Sequence, residues 1–187
     1  NYFDWESIGH MNLNIIVGAR NKANTENGPI QFSSGSGMTP EVMAIVMLLA
    51  GPDGDPIQTF EEKIVWVKGM KGSERRLAFI RGDLNATREN PAAYKRHVVP
   101  MIEKGDAYTW FHHGLLNVDT GAHDVDPNFT EPTFEALYES MHGVAPSGDF
   151  YDAYKLVKSW RDALQKAFWV NAGNPNKDKL VDALNKM

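Results

Sequence analysis

The stretch Ile30-Gln31-Phe32-Ser33-Ser34-Gly35-Ser36-Gly37-Met38-Thr39-Pro40 decides the fold, because a β-forming run, a Gly/Ser turn and a helix start follow one another without a break. A second unit of the same kind is Lys63-Ile64-Val65-Trp66-Val67-Lys68-Gly69-Met70-Lys71-Gly72-Ser73-Glu74. Each unit points a helix N-terminus at whatever sits above its turn. Free backbone N–H groups, small hydroxyls and the positive end of the helix dipole together suit an anion, a carboxylate foremost.

Working outward, Thr39 serves as N-cap, Pro40 suits the first helical position, Glu41 complements the dipole, and Gly51-Pro52 stops the helix. Val42, Ile45, Val46, Leu48 and Leu49 cover most of its circumference, which predicts a helix packed on several sides. Gly51 to Pro56 reads as a turn-rich loop, and Ile64 to Val67 as a buried strand of the parallel-sheet kind. Ser73 with Glu74 caps a second helix through Leu77, Phe79 and Ile80, closed by Arg81-Gly82.

Leu13 to Gly18 reads as a strand ahead of these units, followed by a polar loop from Arg20 to Gly28. Beyond them, Leu84 restarts an extended segment. Asn90-Pro91 opens a helix that Pro100 must break or kink and Gly105 ends, and Ala107 to Phe111 is the next strand. Asn117 to Asn128 is polar. Helices are expected at about 132–141 and 150–166, then a strand at Ala167 to Val170 and a final amphipathic helix through Leu180, Val181 and Leu184. Strands alternating with helices predict an α/β layer with a mainly parallel sheet, whose ligands sit at the carboxyl ends of the strands, where both turns lie.

The chain has 187 residues, no cysteine and a formal net charge of -5, which excludes structural disulfides and thiolate metal sites and argues against a nucleic-acid partner. Its most apolar run, Val42 to Ala50, is about half of the roughly 20 residues a membrane-spanning helix needs, so no stable membrane insertion is expected. Asn1 to Glu6 show no signal-peptide pattern.

The first turn lacks the Lys-Ser/Thr of a P-loop, Pro40 stands in the third glycine position of a dinucleotide fingerprint, and Ser36 sits in G-S-G rather than G-x-S-x-G. Neither a nucleotide cofactor nor a Ser36 nucleophile is therefore expected, and no catalytic residue is assigned. Lys68 and Lys71 flank the second turn as solvated point charges, and Trp66 reads as core. His112 and His113 face opposite sides of a strand and do not chelate one metal, while Asp119, His123, Asp124 and Asp126 read as a solvated acidic loop. Arg81-Gly82-Asp83 reads as a helix end.

Six pieces in register carry a resemblance: Tyr2 to Gly9, Phe32 to Gly37, Gly69 to Glu74, Leu77 to Asn85, Glu131-Pro132-Thr133-Phe134-Glu135-Ala136-Leu137 and Phe168 to Pro175. Their order resembles the extracytoplasmic solute receptors of tripartite tricarboxylate transporters, the Bug-type binding proteins. The resemblance implies a periplasmic-binding-protein-like (type II) architecture of two α/β lobes. Residues 13–114 would form the continuous ligand-binding lobe, and 1–12 with 115–187 part of the second, hinged near Asn12 to Asn14 and His112 to Asn117. It implies a periplasmic protein without enzymatic activity or cofactor that captures a small organic acid and delivers it to the membrane subunits of a transporter.

Ligand contacts are implied at Ser34, Gly35, Ser36, Gly37, Met38 and Thr39 in the first turn, at Gly69, Met70, Lys71, Gly72 and Ser73 in the second, and at Asn85 near the cleft floor. Asn85 stands where the family usually has an aspartate, Glu41 where a histidine is common, and Met38 where a threonine is usual. The family's opening strand, turn and first helices find no counterpart, so the resemblance implies a fragment. Two other readings stay open from the residues alone: an α/β hydrolase or transferase acting on an acidic substrate, and a non-binding interaction module.

Overall fold

The computed structural model describes residues 5–10, 16–19, 29–34, 38–117, 120, 123–164, 167–184 and 186. In chain order the elements are β1 (Trp5–His10), β2 (Ile16–Ala19), β3 (Ile30–Ser34), α1 (Pro40–Ala50), α2 (Pro56–Lys63), β4 (Ile64–Lys68), α3 (Gly72–Arg81) and β5 (Ala86–Glu89). A helical stretch follows, made of α4 (Pro91–Ala93), a π turn (Tyr94–Val98) and α5 (Val99–Glu103). Then come β6 (Tyr108–His112), β7 (Leu115–Leu116), β8 (His123–Asp124), α6 (Phe134–His142), α7 (Asp149–Leu164), β9 (Ala167–Asn171) and α8 (Lys177–Leu184). Among the described residues no helix is long and apolar enough to cross a membrane.

The fold is mixed α/β, but its strand pairing corrects the expectation of a mainly parallel sheet. β3 and β4 pair in parallel, Ile30 opposite Ile64 through Ser34 opposite Lys68. β2 instead runs antiparallel to both β5 and β6, in the order β5-β2-β6, and β1 runs antiparallel to β9. The reason is local. A strand-helix-strand crossover fixes β5 and β6 parallel to each other, and it leaves open the direction of a strand inserted between them from elsewhere in the chain.

α1 is buried continuously from Pro40 to Leu48, as a helix apolar around its whole circumference must be. It is the centre of the main core, where Val42, Ile45, Val46 and Leu48 meet Ile30 and Phe32 of β3, Phe111 of β6, Phe134 and Tyr138 of α6 and Tyr154 of α7. β4 departs from the buried strand expected, because Val65 is 47% exposed on a two-stranded sheet with an open edge. The turn-rich loop forms as expected, and α2 follows it over residues for which no element was expected. The Asp55 carboxylate accepts from the N–H groups of Ile57 and Gln58, and Pro56 takes the first helical position.

α3 begins earlier than expected. Its N-cap is Lys71, whose backbone N–H donates to the Glu74 carboxylate at 2.8 Å, so Ser73 lies inside the helix. Gly82 closes it in the left-handed region at φ 89°, which a side chain would strain. Pro100 does not break the next helix. The N–H of Val99 bonds to the carbonyl of Tyr94, five residues back, and the π turn absorbs the distortion ahead of the proline. The expected strand at Leu13 to Gly18 is described from Ile16; Leu13 to Ile15, the loop Arg20 to Gly28 and the hinge at Asn12 to Asn14 lie outside the described residues.

Candidate functional site

The parallel β3–β4 pair sets the geometry. Ser34 and Lys68 are register partners, so both parallel strands finish at the same end of the sheet, ahead of α1 and α3 in the chain. Gly35, Ser36 and Gly37 lie outside the described residues. Ser34 is buried, and its carbonyl accepts from the Trp66 indole at 3.4 Å. Met38 is half-buried against the main core. Thr39 makes no capping hydrogen bond, so the first-turn N–H groups of α1 receive no side-chain cap from it.

In the second turn Gly69 is exposed at φ 85° with open space where a Cβ would stand, and Lys71, Gly72 and Ser73 are exposed. Met70 turns inward onto the small core of Phe79 and Leu84. Lys68 lies over the Trp66 ring, 4.8 Å from its centroid. Asn85 is not brought to the turns. Its side-chain oxygen accepts from Gln31 N–H at 2.7 Å and its amide donates to the Pro29 carbonyl at 2.9 Å, which fixes it at the opposite end of β3 from Ser34.

Directly behind the first turn lies a charge cluster that the sequence did not reveal. Glu41, expected only to complement the helix dipole, is fully buried; one of its oxygens meets Arg161 of α7 and Arg88 of β5, the latter at 3.4 Å. Burial alone would push its carboxyl up, but Arg161, Arg88, His113 and the Thr39 hydroxyl together hold it far below the usual carboxylate range. Arg75 of α3 donates to the Arg88 carbonyl at 3.2 Å, while Arg76 forms a two-pronged pair with Glu89. Burial, then the neighbouring Arg88 charge, lowers the Arg75 guanidinium.

His112 and His113 are both fully buried. His113 Nδ1 and the Tyr154 hydroxyl share a hydrogen bond of 2.7 Å, and the Gly114 N–H donates to His112 Nδ1 at 3.1 Å. Burial drives the His113 imidazole well below its ordinary value. The expected solvated acidic loop is only partly so: Asp126 is buried and caps the turn at Asn128, and the His123 side chain packs inward, 3.7 Å from Asp162. The formation of β8 opposite β7 explains this, since pairing turns one side of the loop inward. Asp119 lies outside the described residues. Arg81 and Asp83 form an exposed pair at 2.8 Å, as a helix end would.

An open pocket of about 420 Å³ lies beside this loop, lined by Thr120, His123, Val125, Thr133, Glu135, Tyr151 and Lys155. Burial pushes the Glu135 carboxyl up, and burial with the Glu135 charge pushes the Tyr151 phenol up to about 12. The Tyr151 phenol therefore keeps its proton and can donate beside the Glu135 carboxyl, with Lys155 lining the same pocket. The E-P-T-F run carried the only sequence signal for it, through the Thr133 cap of α6.

No protein-family model matches the chain, and no curated protein matches it in sequence. Solved structures similar to it include the periplasmic binding protein BugD, at 13% identity and TM-score 0.44, over 95% of this chain and 57% of that one. A TctC solute binding protein from Polaromonas aligns at 12% identity and TM-score 0.39, over 98% of this chain and 70% of that one. MatC from Rhodopseudomonas palustris with bound malate aligns at 13% identity and TM-score 0.39, over 98% and 67%. The chain thus spans 57% of the length of BugD.

Proposed function

We propose that this protein is a periplasmic solute-binding protein that captures a small organic acid at its two Gly/Ser turns and delivers it to the membrane subunits of a tripartite tricarboxylate-type transporter. The observation that carries the reading is the parallel register of Ser34 with Lys68, which ends the strands ahead of α1 and α3 at the same end of the sheet. In this reading both helix N-termini open there, and together they offer a carboxylate more backbone donors and more favourable dipole than either alone. The contact set is Ser34 to Thr39 with Gly69 to Ser73. Asn85, expected at the cleft floor, enters this reading by holding β3 in place. Residues 13–114 act as the binding lobe and the remainder as part of the second, closing at the segment His112 to Asn117.

A panel of di- and tricarboxylates and aromatic acids tests this by thermal unfolding. Ligand at 100 times its Kd adds about 2.7 kcal/mol to the folded state, an upward shift of about 5–10 °C for a chain of this size. No shift with any acid in the panel would overturn the reading.

A further inference from the structure

We propose that a pocket at the C-terminal ends of α1 and α6 binds a small organic cation, an ammonium group carried on an apolar body. The pocket measures about 420 Å³, within the range of small-molecule sites. Met47, Tyr138, Val144, Pro146 and Phe150 give it apolar and aromatic walls, and among the described residues that line it Asp149 alone is charged. It lies one length of α1, about 16 Å, from the turn ahead of Pro40. The site is therefore separate from the turns proposed to hold an organic acid, and it does not rest on that reading.

The chain around the pocket is one-sided in charge. Residues 47–60 and 138–151 carry Asp53, Asp55, Glu139 and Asp149 but no lysine or arginine. Asp53 is felt inside the pocket, since its charge, after burial, pushes the Tyr138 phenol up. The C-termini of α1 and α6 add the negative ends of their dipoles, and α1 has no basic residue in its last turn. Two helix N-termini beside the pocket work the other way, but each carries its own acid: Asp55 caps α2, and Asp149 stands in the first turn of α7. His142, the base in the last turn of α6, is already engaged. Its Nε2 donates to the Leu48 carbonyl at 3.0 Å, which ties the ends of α1 and α6 together.

One wall is preformed. A Cβ on Gly54 would stand 2.2 Å from the Ala50 carbonyl oxygen, so the loop folds this closely onto the end of α1 only with glycine there. A carboxylate entering the pocket would meet Asp149 and Asp53 with no cation to receive it, and a neutral apolar molecule would leave that charge unused. An organic cation satisfies both features. Its body takes the place of water on the apolar walls, its ammonium faces Asp149, and the Tyr138 and Phe150 rings supply the electron-rich surface that such groups favour.

Calorimetric titration of the whole chain at neutral pH with phenethylamine and phenethyl alcohol, which share a ring and arm and differ in charge, tests the site. The amine should bind the wild type at least about fivefold more tightly than the alcohol. Asp149→Asn, which keeps a side chain suited to a helix start, should weaken the amine about two- to fivefold and leave the alcohol unchanged. Val144→Lys, at a position 48% exposed, brings a cation of the protein's own to the pocket and should abolish amine binding. Both positions are exposed, so either variant suffices if the other does not fold. An amine that binds all three proteins alike, an alcohol that binds as tightly as the amine, or silence from both compounds would overturn the proposal, and none of these results bears on whether an acid binds at the turns.

Discussion

Glu41 shows how one side chain ties three elements together. Its carboxylate is fully buried and held by Arg88 and Arg161, so removing the charge strands two cations in the interior. Glu41→Gln should cost about 3–5 kcal/mol, the usual penalty for breaking a buried pair from one side. That lowers the melting temperature by about 6–20 °C, readable by circular dichroism. His113 governs a different window. It faces Glu41, Arg161, Lys158 and His123, and burial depresses its folded pKa below the unfolded value of about 6.5. The unfolded chain therefore takes up the proton first, and the contribution of His113 is complete above about pH 6.5 and lost as pH falls from there. Stability should decline between pH 7 and 5 with a slope of up to about 1.4 kcal/mol per pH unit per histidine. His113→Gln should flatten the decline, and His112, also depressed by burial, accounts for the slope that remains. A slope unchanged in His113→Gln would show that the imidazole is not the group responsible. Glu41, with its pKa depressed as well, acts lower, where acid protonates carboxylates below about pH 4.3.

Among the elements, α1 carries the core. Ile45 is fully buried between β3, β6 and α7, and Ile45→Ala should cost about 2–5 kcal/mol, measured as a fall in the denaturation midpoint with an unchanged slope. This helix was legible in the sequence because its signals are local: Thr39-Pro40 opens it, Gly51-Pro52 closes it, and apolar residues cover it all round. α2 was missed because none of its residues is buried, so no apolar period marks it, although Asp55-Pro56 was a capping signal. The parallel pairing of β4 was legible from its unbroken apolar run, but its open edge was not, since composition does not say which strand lies outermost. The site divides in the same way. Both turns are contiguous in sequence, whereas the charge cluster joins Glu41 to Arg88 and Arg161 across 47 and 120 positions, a distance at which no spacing rule operates.

At the scale of the molecule, one core crosses the proposed lobe boundary at residue 114. Phe134, Tyr138 and Tyr154 from the C-terminal part pack with α1, β3 and Phe111 from the part before it, and Glu41 meets Arg161 across the same division. Ligand closure in a two-lobed binder needs surfaces that part and meet, while a shared core resists parting, because its apolar surface would be exposed to water. Motion is therefore expected outside that core, at the exposed turn Gly69 to Ser73 and the segment Leu115 to Asn117. Phe134 decides the matter. Its ring is fully buried and lies tilted against Tyr154 and Phe111, with centroids 5.0 Å and 5.9 Å away. Phe134→Ala should cost about 3–5 kcal/mol. If α1 and α7 open as one unit, hydrogen exchange should show the amides of both losing protection by the same factor, as members of one cooperative unit do. Protection lost in α7 alone would mean that the two parts unfold separately, and closure would then be free to act as a hinge between whole lobes.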